Sequence, residues 1–209
     1  MSSIAANLAA LRARAGNATL IAVSKTHGIT AVREALAAGQ RVFGENRVQE
    51  AQGKFPDLRR TYPDIELHLI GTLQSNKAQA AVALFDVIQT LDRPALAEAL
   101  AQAIQKTGRR PRIYIEVNIG NEPQKAGIAP DQTESFLASC RQIGLQISGL
   151  MCIPPQGQDP TPYFLRTHEL QERLALPHLS MGMSQDFKIA LACGATEIRI
   201  GTAIFGARE

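Results

Sequence analysis

The sequence predicts an α/β protein, a single (β/α)8 barrel of the TIM type over residues 1–209, with one extra helix at the N-terminus. Eight short apolar segments alternate with helix-like segments along 209 residues, a length near the lower limit for such barrels. Strict alternation favours a parallel sheet with right-handed crossovers. The alternative is an open doubly wound sheet, which usually carries a GxGxxG turn after its first strand. The first apolar segment here is followed by no such turn.

The elements are predicted from the spacing of apolar residues. Residues 1–16, rich in Ala and Leu, form the extra helix. Strands are predicted from short apolar runs at residues 19–24, 41–43, 66–70, 86–89, 112–118, 145–150, 178–180 and 197–200. Helices follow the first seven strands, because apolar residues recur there at helical spacing, at residues 30–38, 45–60, 74–84, 93–106, 130–142, 162–176 and 184–193. Glycines near four of the helix ends suit left-handed caps: Gly39, Gly108, Gly144 and Gly194.

Composition narrows the classes of partner. The chain has 22 Lys and Arg against 19 Asp and Glu, spread along its length, so no basic block indicates a nucleic-acid groove. No uncharged apolar run is long enough to cross a bilayer, and the N-terminus lacks the order of a signal peptide. Three cysteines stand far apart without zinc-site spacing: Cys140, Cys152 and Cys193. The sequence therefore predicts a cytoplasmic protein with reduced thiols, no metal, and neither a nucleic-acid nor a membrane partner.

Lys25 is the first candidate functional residue. It ends the apolar run Thr19-Leu-Ile-Ala-Val-Ser-Lys25, and barrels carry their chemistry at the carboxyl ends of strands. An amine against low-dielectric walls loses its proton more readily than a surface amine, and a neutral amine attacks carbonyls to form a Schiff base. The alternative is an ordinary lysine that reaches solvent from a strand end.

Two loops near the C-terminus form a candidate anion site. In Leu179-Ser-Met-Gly-Met-Ser184 a glycine turn leads into a helix that we expect Ser184 to cap, and a helix start offers free N–H groups to an anion. After the last predicted strand, Gly201 and Thr202 can present further N–H groups. In barrels the loops after strands seven and eight frequently bind phosphate. Taken singly, each loop is equally consistent with an ordinary cap and turn.

A strand-end lysine beside an anion site suits a carbonyl compound that bears phosphate. Pyridoxal 5′-phosphate is such a compound, and it needs an amine, phosphate donors and a partner for its ring nitrogen. Arg199 on the last strand could be that partner. A guanidinium only donates, so it would favour an unprotonated ring nitrogen. The alternative for Arg199 is a salt bridge with Glu197 or another acid.

Several motifs, in order over almost the whole chain, resemble those of the pyridoxal-phosphate homeostasis proteins. They are Ala22-Val-Ser-Lys-Thr26, Phe43-Gly-Glu-Asn-Arg-Val-Gln-Glu50, His68-Leu-Ile-Gly-Thr-Leu-Gln-Ser-Asn-Lys77, Gly149-Leu-Met151, Leu179-Ser-Met-Gly-Met-Ser184 and Ile198-Arg-Ile-Gly-Thr-Ala-Ile-Phe-Gly206. The resemblance implies one barrel related to the N-terminal domain of alanine racemase, with pyridoxal phosphate bound to Lys25 as an internal aldimine. It also implies phosphate contacts from Ser184, Gly201 and Thr202, with Arg199 near the ring nitrogen. By the same resemblance, Asn46, His68 and Met151 line the pocket.

The family is associated with control of free pyridoxal phosphate, without a dedicated catalytic reaction, so the resemblance implies a binding protein with no catalytic residues. Amino acids or apo-enzymes would be the recipients of the cofactor. An amino-acid racemase with the same cofactor is the alternative, and an aldolase-type barrel enzyme is a third. Racemases of this fold carry a further β-rich domain that supplies a tyrosine base, and we expect none in a chain that ends at Glu209. A single barrel without a swapped domain favours a monomer.

Two further residues have open interpretations. Lys125 follows the fifth predicted strand and therefore lies on the same face as Lys25. It is either a second amine that transiently receives the cofactor or an ordinary loop lysine. His68 lies between Leu67 and Leu69, so its side chain faces opposite to theirs. It either approaches the cofactor inside the barrel or is a core histidine with satisfied hydrogen bonds.

Overall fold

Eight parallel strands close into a barrel in chain order, with the eighth strand paired to the first. The structure is a computed structural model, and it describes residues 3–206. The predicted (β/α)8 barrel and its extra N-terminal helix are confirmed, although positions 1–2 and 207–209 lie outside the described residues. Closure removes the sheet edges that an open sheet would leave unpaired.

The strands are short and lie close to their predicted positions. Their bounds are β1 Thr19–Val23, β2 Val42–Glu45, β3 Glu66–Leu69, β4 Val87–Leu91, β5 Arg112–Val117, β6 Ile147–Cys152, β7 His178–Ser180 and β8 Glu197–Ile200. The helices surround them, and their bounds are α1 Ile4–Ala15, α2 Ile29–Ala37, α3 Val48–Gln52, α4 Phe55–Thr61, α5 Ala78–Leu84, α6 Pro94–Thr107, α7 Thr133–Gln142, α8 Thr161–Arg173, α9 Phe187–Ala192 and α10 Thr202–Phe205. A 3-10 turn at Ser75–Lys77 leads into α5.

The prediction of one helix over residues 45–60 was wrong. Glu45 is the last residue of β2, and the helical stretch divides into α3 and α4 at Gly53 and Lys54. Periodicity cannot show such a break, because both short helices bury their apolar residues against the same barrel. The buried Lys54 side chain at the break is held by its own hydrogen bonds, which reach the loop after β1.

The last strand, β8, has an apolar outer face and a polar inner face. On β8, Ile198 and Ile200 pack in the hydrophobic cluster beneath the helices, whereas Glu197 and Arg199 make buried hydrogen bonds to other strands. Each fully buried isoleucine contributes about 1.5–3 kcal/mol. The cluster extends through most helices and strands and supplies the main stabilisation of the barrel.

The four glycines predicted as left-handed caps all have positive φ. Gly39, Gly108, Gly144 and Gly194 have φ of 80°, 70°, 75° and 90°. Gly182, after β7, also has φ of 91°, which confirms the predicted glycine turn. Within residues 3–206, no helix is both long and apolar enough to cross a membrane.

A pair of glycine substitutions should separate backbone strain from close packing. Both Gly108→Ala and Gly182→Ala place a side chain at positive φ, which costs about 1–2 kcal/mol. A Cβ at position 108 meets nothing within 4 Å, whereas one at position 182 would lie 2.5 Å from the Cβ of Ala190. Gly182→Ala should therefore lower the free energy of unfolding by about 1–3 kcal/mol more than Gly108→Ala does. Urea denaturation measures both losses, and equal losses would contradict this account.

Candidate functional site

A cleft of about 340 Å³ opens at the carboxyl ends of the strands, where barrels place their functional residues. It is lined by residues at or just after the ends of β1, β2, β3, β6, β7 and β8: Val23, Lys25, Asn46, Ile70, Ile153, Met183, Ser184, Gln185, Asp186, Arg199, Gly201 and Thr202. Six of the eight predicted site residues are therefore brought together. Lys25 and Thr202 lie far apart in sequence, but the pairing of β1 with β8 makes them neighbours in space.

Lys25 lies two residues beyond the end of β1 and is half-buried. The backbone around it is tightly held, because Lys54 donates to the carbonyls of Ser24 and His27 at 3.0 and 3.1 Å. Thr26 has a φ of 65°, a left-handed conformation that is uncommon for a β-branched residue. The amine thus enters the cleft from a rigid turn.

Arg199 is almost completely buried and contacts neutral acceptors. Its guanidinium donates to the Ser180 hydroxyl at 2.7 Å and to the Cys152 carbonyl at 2.9 Å. Burial lowers the pKa of Arg199 from its ordinary value. Among residues 3–206 no carboxylate lies within ion-pair distance of it, so the alternative of a salt bridge with Glu197 was wrong. Glu197 instead accepts hydrogen bonds from Tyr114 and Gln89.

A chain of hydrogen bonds fixes Arg199 from below. Ser180 donates to the Gln89 side chain at 2.7 Å, and Gln89 in turn contacts His68 at 2.9 Å and Glu197 at 2.8 Å. Buried polar groups are stable only when they are paired in this way. Sequence reasoning missed Gln89 and Ser180. The available signal was a polar residue on the alternate face of an otherwise apolar strand.

His68 and Met151 do not line the cleft. The ring of His68 is fully buried and hydrogen-bonded at both nitrogens, to Glu66 at 2.7 Å and to Gln89. Of the two interpretations of His68, this arrangement matches a core histidine whose hydrogen bonds are satisfied. Met151 is also buried, on β6, where it pairs in register with Glu116 and with Ser180. Both residues lie beneath the cleft, and their contact with a ligand stays a prediction.

The prediction that Ser184 caps a helix was wrong. Helix α9 begins three residues later, at Phe187, and Asp186 occupies the N-cap position. The Asp186 side chain accepts from the Met183 N–H at 2.6 Å, which closes residues 183–186 into a turn ahead of the helix. Within residues 3–206 the N–H groups of Ser184 and Gln185 have no protein acceptor. These two donors remain available to a bound anion.

The loop after β8 offers a similar pair of donors. Gly201 precedes the short helix α10, and its carbonyl accepts from the N–H groups of Ile204 and Phe205 at 2.8 and 3.0 Å. In the part of the chain that the structure describes, the N–H groups of Thr202 and Ala203 have no protein acceptor. Backbone donors from two loops, those of Ser184, Gln185 and Thr202, therefore border the cleft beside the guanidinium of Arg199. Oriented backbone N–H groups of this kind are suited to phosphate.

Lys125 lies on the same face as Lys25 but in a neighbouring cleft of about 580 Å³. Its ammonium donates to the Pro154 carbonyl at 3.1 Å and forms an ion pair with Glu122. The two clefts share the lining residues Ile153, Met183, Gln185 and Asp186. The position on this face is confirmed, and the role as a second amine stays a prediction.

Glu116, on β5, is a partly buried carboxyl close to the site. Its Oε2 atom is buried and has no hydrogen-bond partner among residues 3–206. Burial and, to a smaller extent, the charge of Asp92 raise the pKa of Glu116 to about 7, although the charge of Arg199 opposes this shift. Over residues 3–206, no group of three acidic, histidine or cysteine side chains is arranged to hold a metal ion.

Glu116→Gln should change how stability depends on pH. Because the pKa rises from 4.5 to about 7 on folding, the folded protein binds more protons than the unfolded chain between these values. Stability therefore falls as pH rises through this window, and it stays lower above the window. Relative to the wild type, the free energy of unfolding of the variant should increase by about 1–3 kcal/mol from pH 4.5 to pH 7.

Urea denaturation at both pH values measures this difference, and a constant effect of the substitution cancels from it. Asp131→Asn removes an exposed carboxylate and serves as the control. A difference for Glu116→Gln no larger than that for the control would contradict the raised pKa.

Comparisons with known proteins agree on one family. The model of the alanine racemase N-terminal domain matches residues 1–209. A protein of Pseudomonas aeruginosa named pyridoxal phosphate homeostasis protein is 40% identical over all of this chain and 97% of its own length. A protein of the same name from Aquifex aeolicus is 39% identical over 92% of this chain and 88% of its own length.

Solved structures give the same result. PipY of Synechococcus elongatus PCC7942 is 45% identical without PLP and 44% identical with PLP bound, with TM-scores of 0.91 and 0.88. Each comparison covers 98% of this chain and 100% of PipY. Alanine racemase of Corynebacterium glutamicum, at 21% identity and a TM-score of 0.76, shares the fold over 98% of this chain and 61% of the racemase.

Proposed function

Because the chain belongs to the alanine racemase N-terminal domain family, we propose that it binds pyridoxal 5′-phosphate, holds it through Lys25 and contributes to the homeostasis of this cofactor. One observation carries the proposal: a single cleft contains the Lys25 amine, a buried guanidinium and two loops with unpaired backbone N–H groups. These are the three kinds of group that the aldehyde, the ring nitrogen and the phosphate require. The names of the relatives and the PLP bound to PipY support the same ligand.

Lys25 would supply the covalent anchor. When bound, pyridoxal phosphate supplies an aldehyde that condenses with a primary amine and releases one water. The Nζ atom attacks as the neutral amine, and Lys25 brings this atom to the cleft that the anion-binding loops border. The turn that holds Lys25 keeps the amine directed at the cleft.

The loops after β7 and β8 would hold the phosphate. The N–H groups of Ser184 and Thr202 have no protein acceptor in the described chain, and they come from loops on two neighbouring strands. Gly201 lets the backbone approach closely, since a Cβ there would lie only 3.3 Å from the Val23 carbonyl. Anion binding at such N–H groups is favourable without any charged side chain.

Arg199 would face the ring nitrogen. It is held by Ser180 and Cys152 and not by a carboxylate, so its charge is available to the ligand. A guanidinium cannot accept a hydrogen bond from a protonated ring nitrogen. Arg199 would therefore keep the ring nitrogen unprotonated and weaken the cofactor as an electron sink, which suits storage and transfer better than catalysis. Asn46 would line the same cavity, and His68 and Met151 would support its base.

We propose that the protein is a carrier or regulator and not a dedicated enzyme. A racemase needs acid–base groups on both faces of its substrate. Of the side chains in the described chain that line the cleft, Lys25 is the one amine and none is a tyrosine. The two relatives compared are named as homeostasis proteins. Amino acids or apo-enzymes would receive the cofactor, and we propose a cytoplasmic monomer.

Borohydride reduction after incubation with pyridoxal phosphate should leave one pyridoxyl group, on Lys25. The reason is that Lys25 alone among the described lysines lines the cleft with the anion-binding loops. Mass spectrometry of peptides locates the group, and Lys25→Ala should lose it. Lys77→Ala, outside the cleft, is the matched control and should keep it. Labels scattered over surface lysines, or a steady turnover of L- to D-alanine that Lys25→Ala abolishes, would contradict the proposal.

Arg199→Gln should weaken binding of pyridoxal phosphate about 10- to 100-fold, which corresponds to the loss of one or two charge-assisted hydrogen bonds. It should also shift the absorption band of the bound ligand, because the protonation of the ring nitrogen changes. Titration followed by absorbance measures both effects. Unchanged affinity and an unchanged band would refute the assignment of Arg199 to the ring nitrogen.

A further inference from the structure

A buried ion cluster lies directly behind the turn that carries Lys25. It consists of Glu45 at the end of β2, Glu50 on α3 and Lys54 between α3 and α4. The ammonium of Lys54 lies 2.8 Å from Glu45 Oε1 and 2.7 Å from Glu50 Oε1. The side chains of Glu45 and Lys54 are 0% and 10% exposed, and that of Glu50 is 25% exposed.

The cluster contacts the chain on both sides of Lys25. Before it, Ser24 donates its hydroxyl to Glu45 at 2.7 Å, and its carbonyl accepts from Lys54. After it, the Thr26 N–H donates to Glu50 at 2.6 Å. The His27 carbonyl, one residue later, accepts from Lys54.

The turn needs this support. Thr26 has a φ of 65°, and a β-branched residue keeps such a conformation only where its surroundings impose it. The N–H that Glu50 accepts belongs to this same residue. Burial raises the pKa of Glu45, whereas hydrogen bonds from Lys54 and Thr26 outweigh burial and lower the pKa of Glu50. The cost of burying these charges is offset by their mutual ion pairs and by hydrogen bonds to one short segment, the turn from Ser24 to His27.

We propose that Lys54, together with Glu45 and Glu50, positions the amine of Lys25 for condensation with the aldehyde of its ligand. The inference rests on the proposed function, because it assigns these three residues a role in the covalent step at Lys25. They are positioning residues, since they do not line the cleft themselves. Without them the turn relaxes, the amine leaves its reactive orientation, and the phosphate site after β7 and β8 stays intact.

Lys54→Met tests the inference, because Met keeps the length of the side chain and removes its charge and donors. We expect the rate of condensation with pyridoxal phosphate, followed by stopped-flow absorbance, to fall about 10- to 100-fold, as displaced reacting groups commonly cause. Pyridoxamine phosphate has the same ring and phosphate but no aldehyde. Its affinity should be unchanged, which a general loss of structure would not allow.

Arg59→Met is the matched control. Arg59 is a partly buried cation, with a side chain 20% exposed. It donates to two backbone carbonyls, those of Leu84 and Ile65, and to the carboxylate of Asp86. These residues lie before β3 and β4, at the opposite end of the barrel. Arg59→Met should lower stability and leave the condensation rate unchanged. An equal slowing in both variants would overturn the inference, and so would a wild-type rate in Lys54→Met.

Glu50→Ala and Glu50→Gln keep the inference testable if Lys54→Met does not fold. Gln retains an oxygen that can accept from the Thr26 N–H, whereas Ala retains none. Condensation should be slowed by Glu50→Ala and largely restored in Glu50→Gln, and equal rates in the two variants would refute the inference. If borohydride reduction of the wild-type protein leaves no pyridoxyl group on Lys25, the proposed function is overturned. A labelled Lys25 with unchanged rates in these variants overturns the positioning role alone.

Discussion

The parallel pairing of β1 with β8 is the constraint on which the site depends. Four register pairs, from Thr19 with Glu197 to Ala22 with Ile200, close the barrel. They bring the loop that carries Lys25 beside the loop that carries Gly201, although the two are 176 positions apart in the chain. Because parallel strands all end on the same face, the other strands add their end residues to the same cleft. Closure thus determines both the stability of the barrel and the arrangement of the cleft.

A group of polar side chains lies in the barrel interior beneath this cleft. Arg199, Ser180, Gln89 and Glu197 form one connected set of hydrogen bonds that spans three strands. An unpaired member of such a set would cost about 1–3 kcal/mol. The set therefore requires each side chain to keep one orientation. This rigidity holds a buried guanidinium at the base of the cleft without pairing it to a carboxylate.

Lys25 and Lys125, both on the carboxyl face, differ in their environment. Lys25 lines the cleft and is carried by a turn that the cluster around Lys54 holds in place. Lys125 lies in the adjoining cleft, where Glu122 and the Pro154 carbonyl already occupy its ammonium. A preformed geometry lowers the entropic cost of bringing reacting groups together. The structural distinction is consistent with Lys25 as the covalent anchor.

The sequence by itself determined the barrel, most of its elements and six of the residues that line the cleft. The barrel, its elements and five of these residues follow from local patterns: alternating apolar periodicity, glycines at helix ends, and polar residues at or just after strand ends. Asn46 was predicted only from the family resemblance. Even so, local patterns misplaced the cap at Ser184 and joined α3 to α4, because side-chain hydrogen bonds of Asp186 and Lys54 decide those boundaries.

Only the tertiary structure decided which partners the buried groups choose. Arg199 contacts Ser180 and not the nearby Glu197, His68 is satisfied within the interior, and Lys54 reaches back 30 residues to Ser24. Each of these contacts joins residues that are distant in sequence, so no periodicity or spacing encodes them. These contacts form because closure of the barrel removes the side chains from water, so each polar group must find a hydrogen-bond partner on a neighbouring strand or loop.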